Sequence, residues 1–340
     1  MKESDSNRSR GTSRFALYAG LVLAYNILVI LWGAVVRATG SGAGCGDHWP
    51  LCQGVVIPHA AGISTVIEFA HRSSSGIAVV LVVGLVPFAF RRFDKGHAAR
   101  RYAAAALAFT LTEGLLGAAL VLFGQVGSNA SMSRVVVLSL HLVNTFLLLA
   151  ALALTAKSAS SDAAAQPVQT FEKTAMPSQA PGNGLYLAYG AGIIATLAIG
   201  VTGTIAALSD TLFRATSLAQ SLQMDFSNAS NPMLRLRIIH PALAVIAGCF
   251  LMVLAAHALM SRPSARAKRL ASCLLVLLIL QFSLGVLNVI LLAPLWMQVL
   301  HLLTADLVWV TLVLLSAEVL DTRRATRPLV FQEDASLIGA

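Results

Sequence analysis

The strongest constraint on this chain is a series of eight apolar stretches, each 22 to 27 residues long. A helix of that length crosses a hydrocarbon core of roughly 30 Å. Only 11% of the residues are charged, against roughly 25% in soluble domains. The sequence therefore predicts an all-α membrane protein with eight transmembrane helices in a lipid bilayer. The stretches are residues 15–36, 64–90, 102–124, 134–156, 184–207, 236–260, 270–293 and 295–319.

The net charge of +9 is explained by membrane orientation and needs no nucleic acid partner. With the N-terminus in the cytoplasm, 18 of the 24 lysines and arginines lie on the cytoplasmic side, in agreement with the positive-inside rule. The first stretch follows four basic residues, as in a signal peptide, but its 22 residues exceed the roughly 7–15 of a signal-peptide core. We therefore expect a retained first helix and both termini in the cytoplasm.

An internal repeat relates the two halves of the chain. Residues 157–183, rich in Ala, Ser, Pro and Gln, lack an apolar period and are expected to form a flexible linker. They separate residues 1–156 from residues 184–340, with four spans in each part. Because each half contains an even number of spans, the two halves insert into the membrane with the same orientation. We therefore predict two parallel-repeat four-helix bundles. Matching residues recur 160 to 169 positions apart: Gly33 and Gly200, His71 and His240, Glu113 and Gln281, His141 and His301.

Four of the eight histidines fall inside predicted spans, each near the outer end: His71, His141, His240 and His301. An ionisable group at membrane depth is costly and is therefore a functional candidate. A single such histidine is explained by an interhelical hydrogen bond, but two per bundle at one level favour a haem iron held from both faces. Zinc is the alternative, although it prefers three or four protein ligands.

Glu68 makes the two predicted haem sites chemically different. It lies three residues before His71 on the same helix face, whereas the corresponding position before His240 is Arg237. Two roles stay open for Glu68. It is either an acceptor that orients the imidazole, or a carboxylate beside the haem edge that takes protons or stabilises a developing cation.

The predicted outer face also carries arginines and a cysteine pair. The arginines are expected either to bind haem propionates or to contact lipid headgroups. They are Arg37, Arg72, Arg235 and Arg237. Cys45 and Cys52 lie in the loop after the first span. We expect a structural disulfide there because that side of the membrane is oxidising in bacteria. A redox role for the bridge is the alternative.

Taken together, these residues resemble the haem A synthases, over roughly residues 20 to 320. The resemblance is carried by Thr39-Gly-Ser-Gly-Ala-Gly-Cys45, Trp49-Pro-Leu-Cys52, Glu68-Phe-Ala-His71-Arg72, His141, Arg237-Ile-Ile-His240-Pro and His301. It implies an enzyme that oxidises the C8 methyl of haem O to a formyl group by successive hydroxylations, giving haem A for terminal oxidases. One departure is Glu113, where the family usually carries Gln, as at Gln281 in the second half.

The resemblance also implies roles for individual residues. A haem b cofactor is held by His240 and His301 in the C-terminal bundle. The substrate haem is held by His71 and His141 in the N-terminal bundle, with Glu68 as the catalytic residue. The implied partners are haem O, a haem O synthase and a membrane electron acceptor such as a quinone. The implied location is the bacterial cytoplasmic (inner) membrane.

Two other functions stay open. A di-haem b electron carrier, passing electrons to or from quinone, needs the same four histidines but no carboxylate beside one haem. A transporter with parallel repeats uses His–Glu proton coupling, but its helices are usually broken near the midplane. The histidines of this chain lie near one face in unbroken apolar stretches.

Overall fold

The computed structural model describes residues 2–59, 62–164, 182–227, 231–261 and 264–321. These residues form ten α-helices and no β-strand, and eight helical segments are long and apolar enough to cross a membrane. The helices are α1 (Lys2–Ala38), α2 (Ile63–Arg92), α3 (Ala98–Leu122), α4 (Met132–Ala164), α5 (Asn183–Leu212), α6 (Leu218–Phe226), α7 (Pro232–Arg237), α8 (Ile239–Met260), α9 (Ala265–Ile290) and α10 (Leu295–Val319). The prediction of an all-α, multi-pass membrane protein is confirmed.

Two helix boundaries differ from the prediction for local reasons. α4 continues to Ala164, so the beginning of the expected linker is helical, because it consists mainly of Ala and Ser and contains neither Pro nor Gly. Residues 165–181 of that linker lie outside the described residues. The sixth span is divided where α7 ends at Arg237 and α8 begins at Ile239. Pro241 lacks an N–H and crowds the carbonyl four residues earlier, which interrupts the helix there.

The eight spans pack as two sets of four helices. In the first set, α1 contacts α2 and α4, and α3 contacts the same two helices. Phe15, Leu85 and Leu152 are among the buried side chains between them. In the second set, α5 contacts α8 and α10, and α9 contacts the same two helices, around buried residues such as Leu251 and Leu274. The parallel-repeat relation between the sets stays a prediction.

The two sets meet along α1, α4, α5 and α10. Trp309 of α10 stacks on Phe146 of α4 with ring centroids 5.0 Å apart, and its indole N–H donates to the Phe146 carbonyl at 2.6 Å. Large apolar side chains on the outside of the spans, such as Val80 and Val276, are exposed. This is expected of a surface that faces lipid tails, which are as apolar as the side chains themselves.

Candidate functional site

His240 and His301 approach each other inside the second set of helices. Their ring centroids are 6.5 Å apart and their planes lie at 89°. Two imidazoles that bind one metal atom from opposite sides, with bonds of about 2 Å, have centroids about 6 Å apart. The observed spacing therefore fits a single iron atom between the two rings, as the haem hypothesis requires.

Glycines on neighbouring helices provide the space for three of the histidine rings. The close pairs, with the distance from an added Cβ to the ring Cε1, are Gly203 and His240 (3.0 Å), Gly33 and His71 (3.1 Å), and Gly285 and His301 (3.3 Å). Separations this short force a neighbour to move, because interiors are already close-packed. The glycines therefore set how closely each ring approaches the adjacent helix.

These contacts correct one match of the internal repeat. Gly33 corresponds to Gly203, since both face a histidine ring, whereas Gly200 faces Leu142 and Phe146 of α4. The predicted pairing of Gly33 with Gly200 is therefore wrong. Gly200 and Gly203 lie three residues apart on one helix face. Only the packing of the helices shows which of them faces a histidine ring.

Gly203→Ala is expected to reduce haem binding by the second set of helices. The added methyl must displace the imidazole it faces, and overpacking of this kind costs about 1–3 kcal/mol. The measurement is haem absorbance per protein after purification. Gly190→Ala on the same helix is the control, because a Cβ there meets nothing within 4 Å. Equal haem content in the two variants would contradict a role for the close contact.

Glu113 and two polar neighbours surround His141 in the first set of helices. His141 Nδ1 lies 3.2 Å from Glu113 Oε1, without the alignment of a hydrogen bond. The Asn144 amide donates to Glu113 Oε2 at 2.5 Å, and the Thr145 hydroxyl donates to Oε1. A carboxylate thus contacts a predicted iron ligand. The sequence marked that residue only as a departure from the family pattern.

The corresponding position in the second set holds a neutral amide. Gln281 Nε2 lies 3.2 Å from His301 Nε2, and His240 Nδ1 lies 3.2 Å from the Thr202 hydroxyl. The Nδ1 atoms of His71 and His301 are buried and have no hydrogen-bond partner among the described residues. Within the same residues, no three His, Cys, Asp or Glu side chains are grouped as ligands for one ion. The assignment of two histidine ligands to each metal atom stays a prediction.

Glu68 is held at the loop between α1 and α2. Its side chain is buried, Oε2 accepts a hydrogen bond from the backbone N–H of Cys45 at 2.8 Å, and Oε1 accepts one from Arg72 Nε at 3.0 Å. Among the described residues, its hydrogen bonds join α2 to the loop and none reaches the ring of His71. Both roles considered for Glu68 stay predictions.

Cys45 and Cys52 form the predicted disulfide. Both are buried, and Arg72 donates from Nη1 to the carbonyls of His48 at 2.5 Å and Leu51 at 2.7 Å inside the loop that the bridge closes. The same guanidinium binds the carboxylate described above. The disulfide and Arg72 together hold the backbone N–H of Cys45 against the carboxylate of Glu68.

The double variant Cys45→Ser, Cys52→Ser is expected to lose stability or yield but to keep measurable activity per haem. A structural disulfide typically contributes about 2–4 kcal/mol, while Arg72 still ties the loop to α2. Thermal unfolding and haem conversion are the measurements, with the free cysteine Cys249 changed to Ser as the control. Unchanged stability with complete loss of activity would favour a redox role instead. Free-thiol labelling of both loop cysteines in oxidised protein would contradict the bridge.

Arg37 joins the two sets of helices. Its Nη1 donates to the Ala207 carbonyl at 2.5 Å and to the Thr211 hydroxyl at 2.8 Å, both on α5. Its Nη2 donates to Gln298 Oε1 on α10 at 2.9 Å. The structure therefore gives Arg37 an interface role that differs from both roles considered from the sequence, propionate and headgroup binding.

Arg237 pairs with two acids that the sequence did not single out. Its guanidinium lies 2.6 Å from Asp210 of α5 and 2.6 Å from Asp225 of α6, and it donates to the Ser221 hydroxyl at 2.9 Å. α6 has nine residues, too few to span a membrane, so a search for long apolar stretches could not find it. Arg235 is exposed, and both of its considered roles stay open.

Asp306 is a further buried acid that the sequence did not single out. It lies on α10 with no exposed surface, and neither carboxyl oxygen has a hydrogen-bond partner in the described part of the chain. Burying an unpaired polar group is costly. The sequence could have indicated this residue, because Asp306 is an acid in the middle of the eighth apolar stretch.

Known proteins are similar to this chain over all or part of its length. Residues 16–313 match the COX15-CtaA family, described as a cytochrome oxidase assembly protein. A protoheme IX farnesyltransferase of Thermus thermophilus is 46% identical over 312 residues, which cover 91% of this chain and 49% of that protein. A heme A synthase of Alkalihalophilus pseudofirmus is 39% identical over 112 residues, covering 33% of this chain and 38% of the relative. The chain thus spans about half the length of the Thermus relative.

Proposed function

The chain belongs to the COX15-CtaA family of cytochrome oxidase assembly proteins, and on this premise we propose that it is a haem A synthase. The proposed reaction converts the C8 methyl of haem O to a formyl group by two successive hydroxylations and loss of water. With water as the source of the oxygen atom, that is a four-electron oxidation that releases four protons, so it needs an external electron acceptor, for which we propose a membrane quinone. Similarity to proteins named heme A synthase and the histidine geometry support the proposal.

The residues divide between a cofactor site and a substrate site. We assign haem b to His240 and His301, whose ring spacing of 6.5 Å fits one iron atom. When bound, haem b accepts electrons and passes them on one at a time. We assign the substrate haem iron to His71 and His141. The role of these two imidazoles is to hold the macrocycle so that its reacting edge stays in one position.

We assign the proton chemistry of the substrate site to Glu68. The N–H of Cys45 and the guanidinium of Arg72 hold its two oxygens, so the carboxylate is fixed in place before substrate binds. Preorganised groups of this kind stabilise charge that develops in a transition state without reorganising during the reaction. A carboxylate also accepts protons that a methyl oxidation releases.

The observation that carries the proposal is the chemical difference between the two histidine pairs. The first set of helices holds the carboxylate of Glu68 one helical turn from His71. The corresponding position before His240 is Arg237, whose guanidinium pairs with Asp210 and Asp225. An electron carrier requires two histidine pairs but no acid at one of them. An enzyme that acts on one of two haems requires acid–base groups at the substrate site only.

Chromatography of haem extracted from the purified protein tests the proposal. We expect haem b together with haem O or haem A, because the cofactor and the substrate or product occupy separate sites. Haem b alone, in protein from cells that make haem O, would instead favour the di-haem electron carrier.

The proposed surroundings are the bacterial inner membrane, with both termini in the cytoplasm, and a haem O synthase that supplies the substrate. The positive-inside charge distribution and a disulfide, which forms in oxidising compartments, support this orientation. The Thermus relative named protoheme IX farnesyltransferase supports a connection with haem farnesylation. After reduction, a membrane-impermeant thiol reagent should label Cys45 and Cys52 in intact spheroplasts; labelling only after lysis would contradict the orientation.

A further inference from the structure

The two predicted haem sites differ in the group that contacts one histidine of each pair. In the first set that group is the carboxylate of Glu113, 3.2 Å from His141 Nδ1. In the second set it is the amide of Gln281, 3.2 Å from His301 Nε2. The two positions match in the predicted internal repeat, so the chain places a charged group at one of them and a neutral group at the other.

The surroundings of Glu113 hold a carboxylate without cancelling its charge. Both oxygens accept hydrogen bonds, from the Asn144 amide and the Thr145 hydroxyl, as an ionised carboxylate can. These donors are neutral. Among the described residues, the ion-pair partner of Glu113 is His141 alone, and no lysine or arginine pairs with it. The negative charge is therefore directed at the imidazole.

We propose that Glu113 is a positioning residue that lowers the reduction potential of the haem iron held by His141 below that of the haem iron held by His301. The inference rests on the proposed function, which places a haem at each histidine pair. A carboxylate beside the outer nitrogen of a ligating imidazole increases the basicity of the ligand. Greater basicity and nearby negative charge favour ferric over ferrous iron.

The contact also selects the nitrogen that binds iron. Because Glu113 lies against Nδ1 of His141, Nε2 is the nitrogen that remains for the iron. Gln281 contacts Nε2 of His301 instead, and it brings no charge. The first site thus favours an oxidised iron, and electrons flow from a lower-potential substrate site to a higher-potential cofactor site.

Potentiometric titration of the purified full chain, saturated with added haem b at both sites, tests this inference. The transition of the first site is identified as the one that His141→Ala removes. Glu113→Gln should raise its potential, with the ferric-to-ferrous ratio at fixed potential falling about tenfold, which corresponds to about 59 mV for a one-electron couple. The second transition should stay in place. Glu113→Asp keeps the charge and should remain closer to the wild type than Glu113→Gln.

Gln281→Glu is the reciprocal variant and should lower the potential of the second site while leaving the first unchanged. If Glu113→Gln leaves the first transition at its wild-type potential, the inference is wrong although the proposed function stands. If His141→Ala removes no transition from the saturated wild-type protein, no haem binds at the first site. The proposed function and the inference then fail together.

Discussion

Replacing His240 or His301 with Ala is expected to remove the low-spin haem b spectrum from the purified protein. The two rings are 6.5 Å apart, a separation that suits one iron atom with a bond of about 2 Å on each side. Loss of either ring leaves one axial ligand, so the iron can no longer be held from both faces. The measurement is the reduced-minus-oxidised absorption spectrum, normalised to protein.

A histidine on the same helix provides the control for this prediction. His257 lies on α8 near Ser261, whose hydroxyl is 3.2 Å from its Nε2, far along the helix from His240. His257→Ala should keep the full spectrum. His71→Ala should also keep it, because that residue belongs to the proposed substrate site. A normal spectrum in both His240→Ala and His301→Ala would overturn the assignment of the cofactor site.

Glu68→Gln is expected to abolish most conversion of haem O to haem A while leaving haem b bound. The amide keeps the shape of the side chain but loses the charge and the ability to accept a proton. Loss of a positioned acid–base group typically costs about 10²–10⁴-fold in rate. Haem O or a hydroxylated intermediate should therefore accumulate, as measured by chromatography of haem extracted from cells that lack another copy of the enzyme.

Glu68→Gln could also loosen the loop between α1 and α2, so the experiment needs a control for that effect. In the wild type the carboxylate of Glu68 accepts bonds from the Cys45 N–H and from Arg72, and an amide N–H₂ would face one of these donors. Thr65→Val removes a different loop contact, the hydroxyl bond to the Gly44 carbonyl at 2.8 Å, without touching the carboxylate. It should keep most activity. Wild-type haem A output from Glu68→Gln would contradict the catalytic role.

The spans were predictable because each depends on a continuous local property. A stretch such as 270–293 becomes helix α9 (Ala265–Ile290), since a bilayer leaves few other structures for about 20 apolar residues. The helix ends were less predictable, because capping groups and proline act there rather than hydropathy. α6 was missed because its nine residues carry no span signal.

The candidate site was predictable in its ligands but not in its surroundings. The four histidines stood out because ionisable groups are rare inside apolar stretches. The four-residue spacing already indicated the pair of Glu68 with Arg72. Nothing in the sequence indicated that Glu68 binds the loop N–H of Cys45, or that Glu113 contacts His141. Those contacts depend on the rotation of each helix about its axis, which residue spacing within one helix does not determine.

The sequence by itself therefore determined the eight spans, the histidines within them and the cysteine pair, because each is a property of a short segment. Tertiary structure alone decided which side chains on different helices meet. It brought Arg37 to the Ala207 carbonyl, 170 residues away, and it placed Gly203 rather than Gly200 against a histidine ring. Such contacts join distant segments on different helices, and they form only where packing sets the distance and rotation between those helices.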